Sequence, residues 1–281
     1  MKRILSVLLA MVVLTGNLVW AQYYQHTPNV GGVNWSDQIV RATGYGAPNP
    51  NMPPGAQRAG AIEAAKVVAL RNLLQIVKGM YLDSKTTVEN AMVMSDRIET
   101  QVSGIIRNFR VVDTRYMSTG DIEVDEEVPL SSFYEILSEI PGGLPPAGQQ
   151  PPGYNSPGWQ GQPAAPQNVV YSGLVIDATG LSARPALGPK VLDEMGNEVY
   201  GTGFVSRDYA VQVGVVGYDK DLNRARSNER VAGNPLVVKA LRVEGANKTD
   251  VVISNNDAQM IRGAAANMNF LEQCKVMIIL D

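Results

Sequence analysis

The densest chemistry-bearing stretch of the chain is Asp125-Glu126-Glu127. Paired carboxylates can share acid and base work or hold a cation. On a strand, successive side chains point to opposite faces, so Asp125 and Glu127 share one side and Glu126 opposes them. The plainer expectation is a solvated acidic edge that discourages strand pairing. A second candidate, Asp219-Lys220-Asp221-Leu222-Asn223, opens like a calcium loop. Its sixth and twelfth positions should be Gly and Glu, but they are Arg224 and Arg230, which argues against calcium. A third, Asp83-Ser84-Lys85-Thr86-Thr87, sets hydroxyls beside a lysine with no Gly-rich loop before it, so it is not a phosphate-binding loop. The chain has one histidine, His26, and one cysteine, Cys274. Nucleophilic triads and cysteine-based metal clusters therefore lack parts. His26 lies in a polar stretch with nothing to orient it, and Cys274, within CKVMIIL, reads as a small buried hydrophobe. No catalytic residue, cofactor or metal is expected. A hydrolase working with two carboxylates remains the alternative, because it needs only the right separation between them.

The elements that must carry these residues begin with an exported leader. Lys2 and Arg3 precede a nearly uninterrupted apolar run, Ile4 to Leu14, and Val19-Trp20-Ala21 offers a cleavage site. Residues 1–21 therefore read as a signal peptide, too short in its apolar run for the ~20 residues of a membrane span. Position 22 is Gln rather than Cys, so the lipoprotein route is closed. The whole sequence carries 24 basic and 27 acidic residues. Removing Lys2 and Arg3 leaves 22 against 27, a net charge of −5. That balance disfavours nucleic acid and anionic membrane surfaces as partners. The expected location is the periplasm, with any outer-membrane association made through partners.

Residues 22–37 are polar and aperiodic and are expected to be a flexible N-terminus. Residues 38–140 form a first domain. Gln38 to Tyr45 is a candidate strand, and Pro53-Pro54 opens a long helix from Ala56 to Val77. Ile62, Ala65, Ala69, Leu73 and Ile76 make its apolar stripe. Met80 to Val88 alternates as a second strand, and Met94, Ile98, Val102 and Ile105 place a second helix over residues 93–106. Phe109–Met117 and Asp121–Leu130 form a hairpin turning at Ser118-Thr119-Gly120, followed by a short helix to Glu139. The order is β-α-β-α-β-β-α, with helices on a mostly antiparallel sheet. Residues 141–167 are rich in Pro, Gly and Gln and are expected to be a partly extended linker, Tyr154 and Trp159 being stray aromatics. Residues 168–281 form a β-rich second domain with strands at 169–177, 209–216, 236–244, 250–254 and 275–280, a hairpin at 190–200 and a helix from Ala258 to about Asn267. The fold class is α+β in two domains.

The first domain has a recognisable pattern. Ala42-Thr43-Gly44-Tyr45-Gly46, the helix with Arg71-Asn72-Leu73-Leu74, the run Val77 to Val88, and Val102-Ser103-Gly104-Ile105-Ile106 before Val111-Val112 resemble the Lpp-twenty lipoprotein family. The pattern is similar also to the N-terminal domain of flagellar assembly protein T. The resemblance covers about residues 38–130 and implies a non-enzymatic structural or assembly factor of the bacterial envelope. Expected partners are envelope or flagellar basal-body proteins, with homo-oligomerisation left open. No catalytic residues carry over. The residues singled out are conformational: Gly44 and Gly46 for close backbone passage, and Asp83, Ser84 and Thr86 at the exit of the second strand, Asp83 as a turn or cap residue. The second domain, with its Tyr171 to Ala178 and Arg184-Pro185-Ala186-Leu187, is similar to a C-terminal module of the same envelope proteins.

Overall fold

The structure, a computed structural model, describes residues 22–156, 159, 170–265 and 269–281. The expected signal peptide lies outside the described residues. Five strands make the first sheet: β1 (Tyr24–Thr27), β2 (Gly31–Asn34), β3 (Ile39–Gly46), β4 (Arg110–Tyr116) and β5 (Ile122–Pro129). Their order is β1-β2-β3-β5-β4, every neighbour antiparallel. Helix α1 (Pro54–Lys78) crosses β3 and β5 with Ala65, Ala69, Leu73 and Ile76 buried as the sequence period predicts, while Ala61 rather than the half-buried Ile62 begins the buried stripe.

Three expectations for this half need correction. The flexible N-terminus is instead the β1–β2 hairpin, sealed by Trp35. Its period is masked because its anchors are remote. Trp35 meets Tyr218 edge-on at 5.5 Å, and Ser36 Oγ donates to the Tyr218 carbonyl at 3.0 Å. The predicted strand over 80–88 is a tight loop with one bridge, Tyr81 to Thr87, because Asp83 Oδ1 gathers the amides of Lys85 and Thr86 and curls the chain. The single helix over 93–106 is two, α2 (Val88–Met94) and α3 (Asp96–Arg107). Ser95 is extended between them and its hydroxyl accepts the Ile98 amide, so the second helix begins afresh on its own cap. The short helix after β5 is a 3-10 run, Leu130–Glu139.

The second sheet contains β6 (Leu174–Asp177), β7 (Val191–Leu192), β8 (Glu198–Tyr200), β9 (Gly217–Asp219), β10 (Leu236–Glu244), β11 (Asp250–Ile253) and β12 (Val276–Ile279). The order is β8-β7-β11-β10-β6-β12-β9. β6 lies between β10 and β12, parallel to both, and these buried strands read as unbroken apolar runs such as Val276-Met277-Ile278-Ile279. Helices α4 (Arg207–Val213), α5 (Leu222–Ser227) and α6 (Asn255–Ala265) complete it. The strand expected at 209–216 is thus mostly α4. Its alternating Tyr209-Ala210-Val211-Gln212-Val213 fits a strand, but only Ala210 is buried, the pattern of a short helix touching the core on one face.

One apolar core runs through both sheets, from Val33, Trp35 and Leu73 to Phe204, Tyr218 and Ile278. The segment after residue 140, expected to be a linker, packs over this join as far as it is described. Leu144, Pro145 and Pro151 are buried, and Tyr154 and Trp159 meet each other and Phe204 at 5.1 to 5.4 Å. Neither aromatic is stray. Its composition lacks aliphatic residues, but the apolar partner, Phe204, is supplied by the second domain. Residues 157–158 and 160–167 of that segment lie outside the described residues. The architecture is α+β, with the second sheet forming a second domain against the first.

Candidate functional site

The acidic cluster sits on β5, which pairs with β3 on one side and β4 on the other, so it is not an edge. Asp125 and Glu127 face outward with Glu123, as the strand period requires. Each meets cations from the flanking strands. Arg41 reaches Glu127 at 2.8 Å, and Arg110 pairs with the same carboxylate. Arg115 binds Glu123 and Asp125 at 2.8 Å and Asp113 at 2.5 Å. Thr43 Oγ1 donates to Asp125 at 2.7 Å. Hydrogen bonds from Arg115 hold the Asp125 carboxyl below its usual range against the opposing effect of burial. At Glu127 burial pushes upward, but the bonds from Arg110 and Arg41 outweigh it and the net shift is downward. Hydrogen bonds to Asp125, Glu123 and Asp113 raise Arg115 in turn. The result is a flat, cross-strand ladder of ion pairs, not two carboxylates facing across a gap.

Glu126 points the other way, into the sheet–helix interface. It is 0% exposed and neither carboxyl oxygen has a hydrogen-bond partner among the described residues. Burial lifts its pKa to about 7, with Lys66 on α1 acting weakly against the rise. A carboxyl titrating there would suit a general acid. No substrate can reach it.

Gly44 and Gly46 lie beneath α1. A Cβ at Gly44 would overlap the Ala65 carbonyl and the Ala69 amide, and one at Gly46 the Ala61 carbonyl. Helix and strand backbones therefore touch directly, which is the close passage expected of these glycines. Asp83, Ser84 and Thr86 come together elsewhere, in the loop between Met80 and Val88. The Thr86 carbonyl accepts from the Leu82 amide at 2.9 Å, closing the loop on itself. Its outer backbone then docks on the second domain. The Leu187 and Gly188 amides donate to the carbonyls of Tyr81 and Leu82 at 3.0 and 2.8 Å. Asn247 donates its amide to the Ser84 carbonyl at 3.2 Å and its side chain to the Asp83 carbonyl at 3.1 Å. Ser84 is nearly buried against Gly245 and helps solvate Asp250, whose carboxyl burial pushes up. The loop is a buckle between domains, and Asp83 is a turn former.

The calcium-like loop is filled from within. Arg224 Nε donates to Asp219 Oδ2 at 2.7 Å, while Asp221 caps α5 by accepting the Arg224 amide at 2.7 Å. A guanidinium holds the carboxylate a cation would use. Among the described residues no group of three or more His, Cys, Asp or Glu could hold a metal.

Sequence reasoning missed a cleft of about 490 Å³ where the domains meet, lined by Ser36, Gln38, Tyr209, Tyr218, Arg230 and Lys275. Arg230 there donates to the carbonyls of Gly214 at 3.0 Å and Cys274 at 2.9 Å, and also to Val213. Tyr134 donates to Gln38 at 2.8 Å and burial pushes its hydroxyl far up. These partners lie on distant segments, so no local spacing could have announced them. Their polar groups are occupied in holding strands and turns together.

Residues 173–281 match the family described as the second domain of Treponema pallidum Tp0624. That match spans all of the second sheet and its helices. No curated protein matches the chain. Among the described residues no helix is long and apolar enough to cross a membrane.

Proposed function

We propose that this chain is a non-enzymatic periplasmic protein, a structural or assembly factor of the bacterial envelope that works by binding envelope or flagellar basal-body proteins. One observation carries the reading: the residues singled out from the pattern that resembles the Lpp-twenty lipoproteins and flagellar assembly protein T, Gly44, Gly46, Asp83, Ser84 and Thr86, are committed to architecture. Gly44 and Gly46 seat α1 on β3. Asp83, Ser84 and Thr86 shape the loop that buckles the two domains. The carboxylates a wall hydrolase would use, Asp125 and Glu127, are each tied to arginines on a flat face. The similarity of the second domain to a domain of a Treponema protein supports a bacterial setting.

The test is a crosslinking pull-down with residues 22–281 from the native envelope. Recovery of basal-body or outer-membrane proteins is the expected outcome. Recovery of wall fragments alone, shortened during incubation, would replace this reading with the hydrolase.

A further inference from the structure

The cleft where the domains meet continues past its own rim. A second hollow of about 770 Å³ shares Glu229, Arg230, Gln273 and Lys275 with it, so the two form one trough. Lys275 lies just before β12, and Gly217 opens the neighbouring parallel strand β9, which puts the trough at the N-terminal ends of these strands. Its charged lining residues are two cations, Arg230 and Lys275, against one carboxylate, Glu229, in a chain that is acidic as a whole.

Arg230 is bound to backbone carbonyls and meets no carboxylate among the described residues. Lys275 is half-buried, yet its ammonium has neither a hydrogen bond nor an ion pair among the described residues. The Gln273 amide and the Tyr209 hydroxyl, which line the same cleft, are likewise unpartnered there. A cation drawn part-way out of water gains from an anion brought to it. Tyr209 and Val213 stand four residues apart on α4 and so share a face. They are 43% and 42% exposed along the cleft, with buried Met277 also lining it. Gly217 makes room for that methionine, since a Cβ there would overlap its sulfur. An exposed apolar pair beside an unpaired ammonium is the complement of an apolar group carrying one negative charge.

We propose that the trough binds the C-terminal end of a peptide whose last residue is apolar. The carboxylate meets Lys275, the last side chain rests on Tyr209 and Val213, and the preceding peptide group meets Gln273. A single unoccupied cation suits a monocarboxylate better than a phosphate. A peptide rather than a fatty acid is the occupant because the adjoining hollow is more polar, with Ser172, Asn234 and Asn269 in its lining. That is a path for a peptide chain to leave by and a poor one for an alkyl tail. Glu229, exposed at the rim both hollows share, is an acceptor for the chain's N–H groups. The site stands on the trough alone and does not depend on which envelope protein the chain assembles with.

The probes are pools of synthetic tetrapeptides, randomised before the last residue and ending in Leu, Phe or Ala, with the C-terminus free or amidated. Decanoate is the lipid-like comparison. Binding to residues 22–281 is read from amide NMR shifts. The free Leu and Phe pools are expected to shift Tyr209, Gln273 and Lys275 at or below about 1 mM. Amidation, or Lys275→Gln, should weaken binding about tenfold or more. Tyr209→Ala, at an exposed position, should reduce the preference for Leu or Phe over Ala while the rest of the spectrum is retained. No pool binding by about 1 mM would overturn the proposal. So would amidated pools that bind as well as free ones, or decanoate binding where the peptides do not.

Discussion

Glu126 is the residue whose environment is most at odds with its chemistry, and it makes the stability of the protein depend on pH with a definite sign. Its carboxyl titrates at about 7 in the folded chain against 4.5 for a free glutamate, because burial disfavours the charge. Below the lower value the group is protonated in both states and costs nothing. As pH rises toward the upper value the unfolded chain releases the proton that the folded chain keeps, so stability falls, by about 3 kcal/mol once the group is ionised in both states. Glu126→Gln should remove most of that fall between about pH 5 and about pH 8 in urea unfolding. An unchanged slope would mean the carboxyl finds a partner on ionising. Asp125 and Glu127 act oppositely, since their depressed values lend stability that disappears as pH drops through the carboxylate range. Gly44 makes the second residue-scale prediction. A methyl at Gly44→Ala must lift α1 from β3, and a loss of about 1–3 kcal/mol in the same assay is expected. Little change would show that the helix can slide.

Elements are where local pattern and structure agree best and also part company. The run Leu236–Glu244 is strand β10 to the residue, and the Pro-led helix α1 and the β4–β5 hairpin were equally legible. In each the apolar period and the boundary signals sit in the same few residues. Gly44 and Gly46 could be read as close-approach positions for the same reason. The elements that misled have their determinants elsewhere in the chain. The β1–β2 hairpin is held by Tyr218, and the proline-rich segment by Phe204, neither visible in local composition. Asp83 was recognisable as a turn former, but that it curls the expected strand over 80–88 into a loop, and that this loop docks on Asn247, was not. The stripe from Met94 to Ile105 hid a break because Met94 fits the spacing although it is exposed at the end of α2, while the Ser95 hydroxyl caps a new helix. Ser95→Ala removes that cap and should cost about 1 kcal/mol, read as a lower urea midpoint. An unaltered midpoint would mean α2 and α3 can fuse into the continuous helix that the spacing suggests.

At the scale of the molecule, what matters is whether two sheets behave as one cooperative body. The shared core says they should, since exposing Trp35, Tyr134 or Tyr218 by parting the domains would put large apolar surface into water. The buckle adds backbone bonds at the other end of the seam, where Gly245 has φ of +82° and lies against Ser84. Gly245→Ala is therefore penalised twice, by a left-handed backbone and by a methyl driven into Ser84. A loss of about 1–3 kcal/mol is expected. Because Gly245 belongs to the second domain and Ser84 to the first, its consequence separates two kinds of molecule. In a coupled body the wild type melts in one calorimetric transition, and the substitution lowers that whole transition without splitting it. Were the domains independent, two transitions would appear and only the one belonging to the second sheet would move. The first outcome would establish that the two sheets and the buckle between them unfold as one cooperative body.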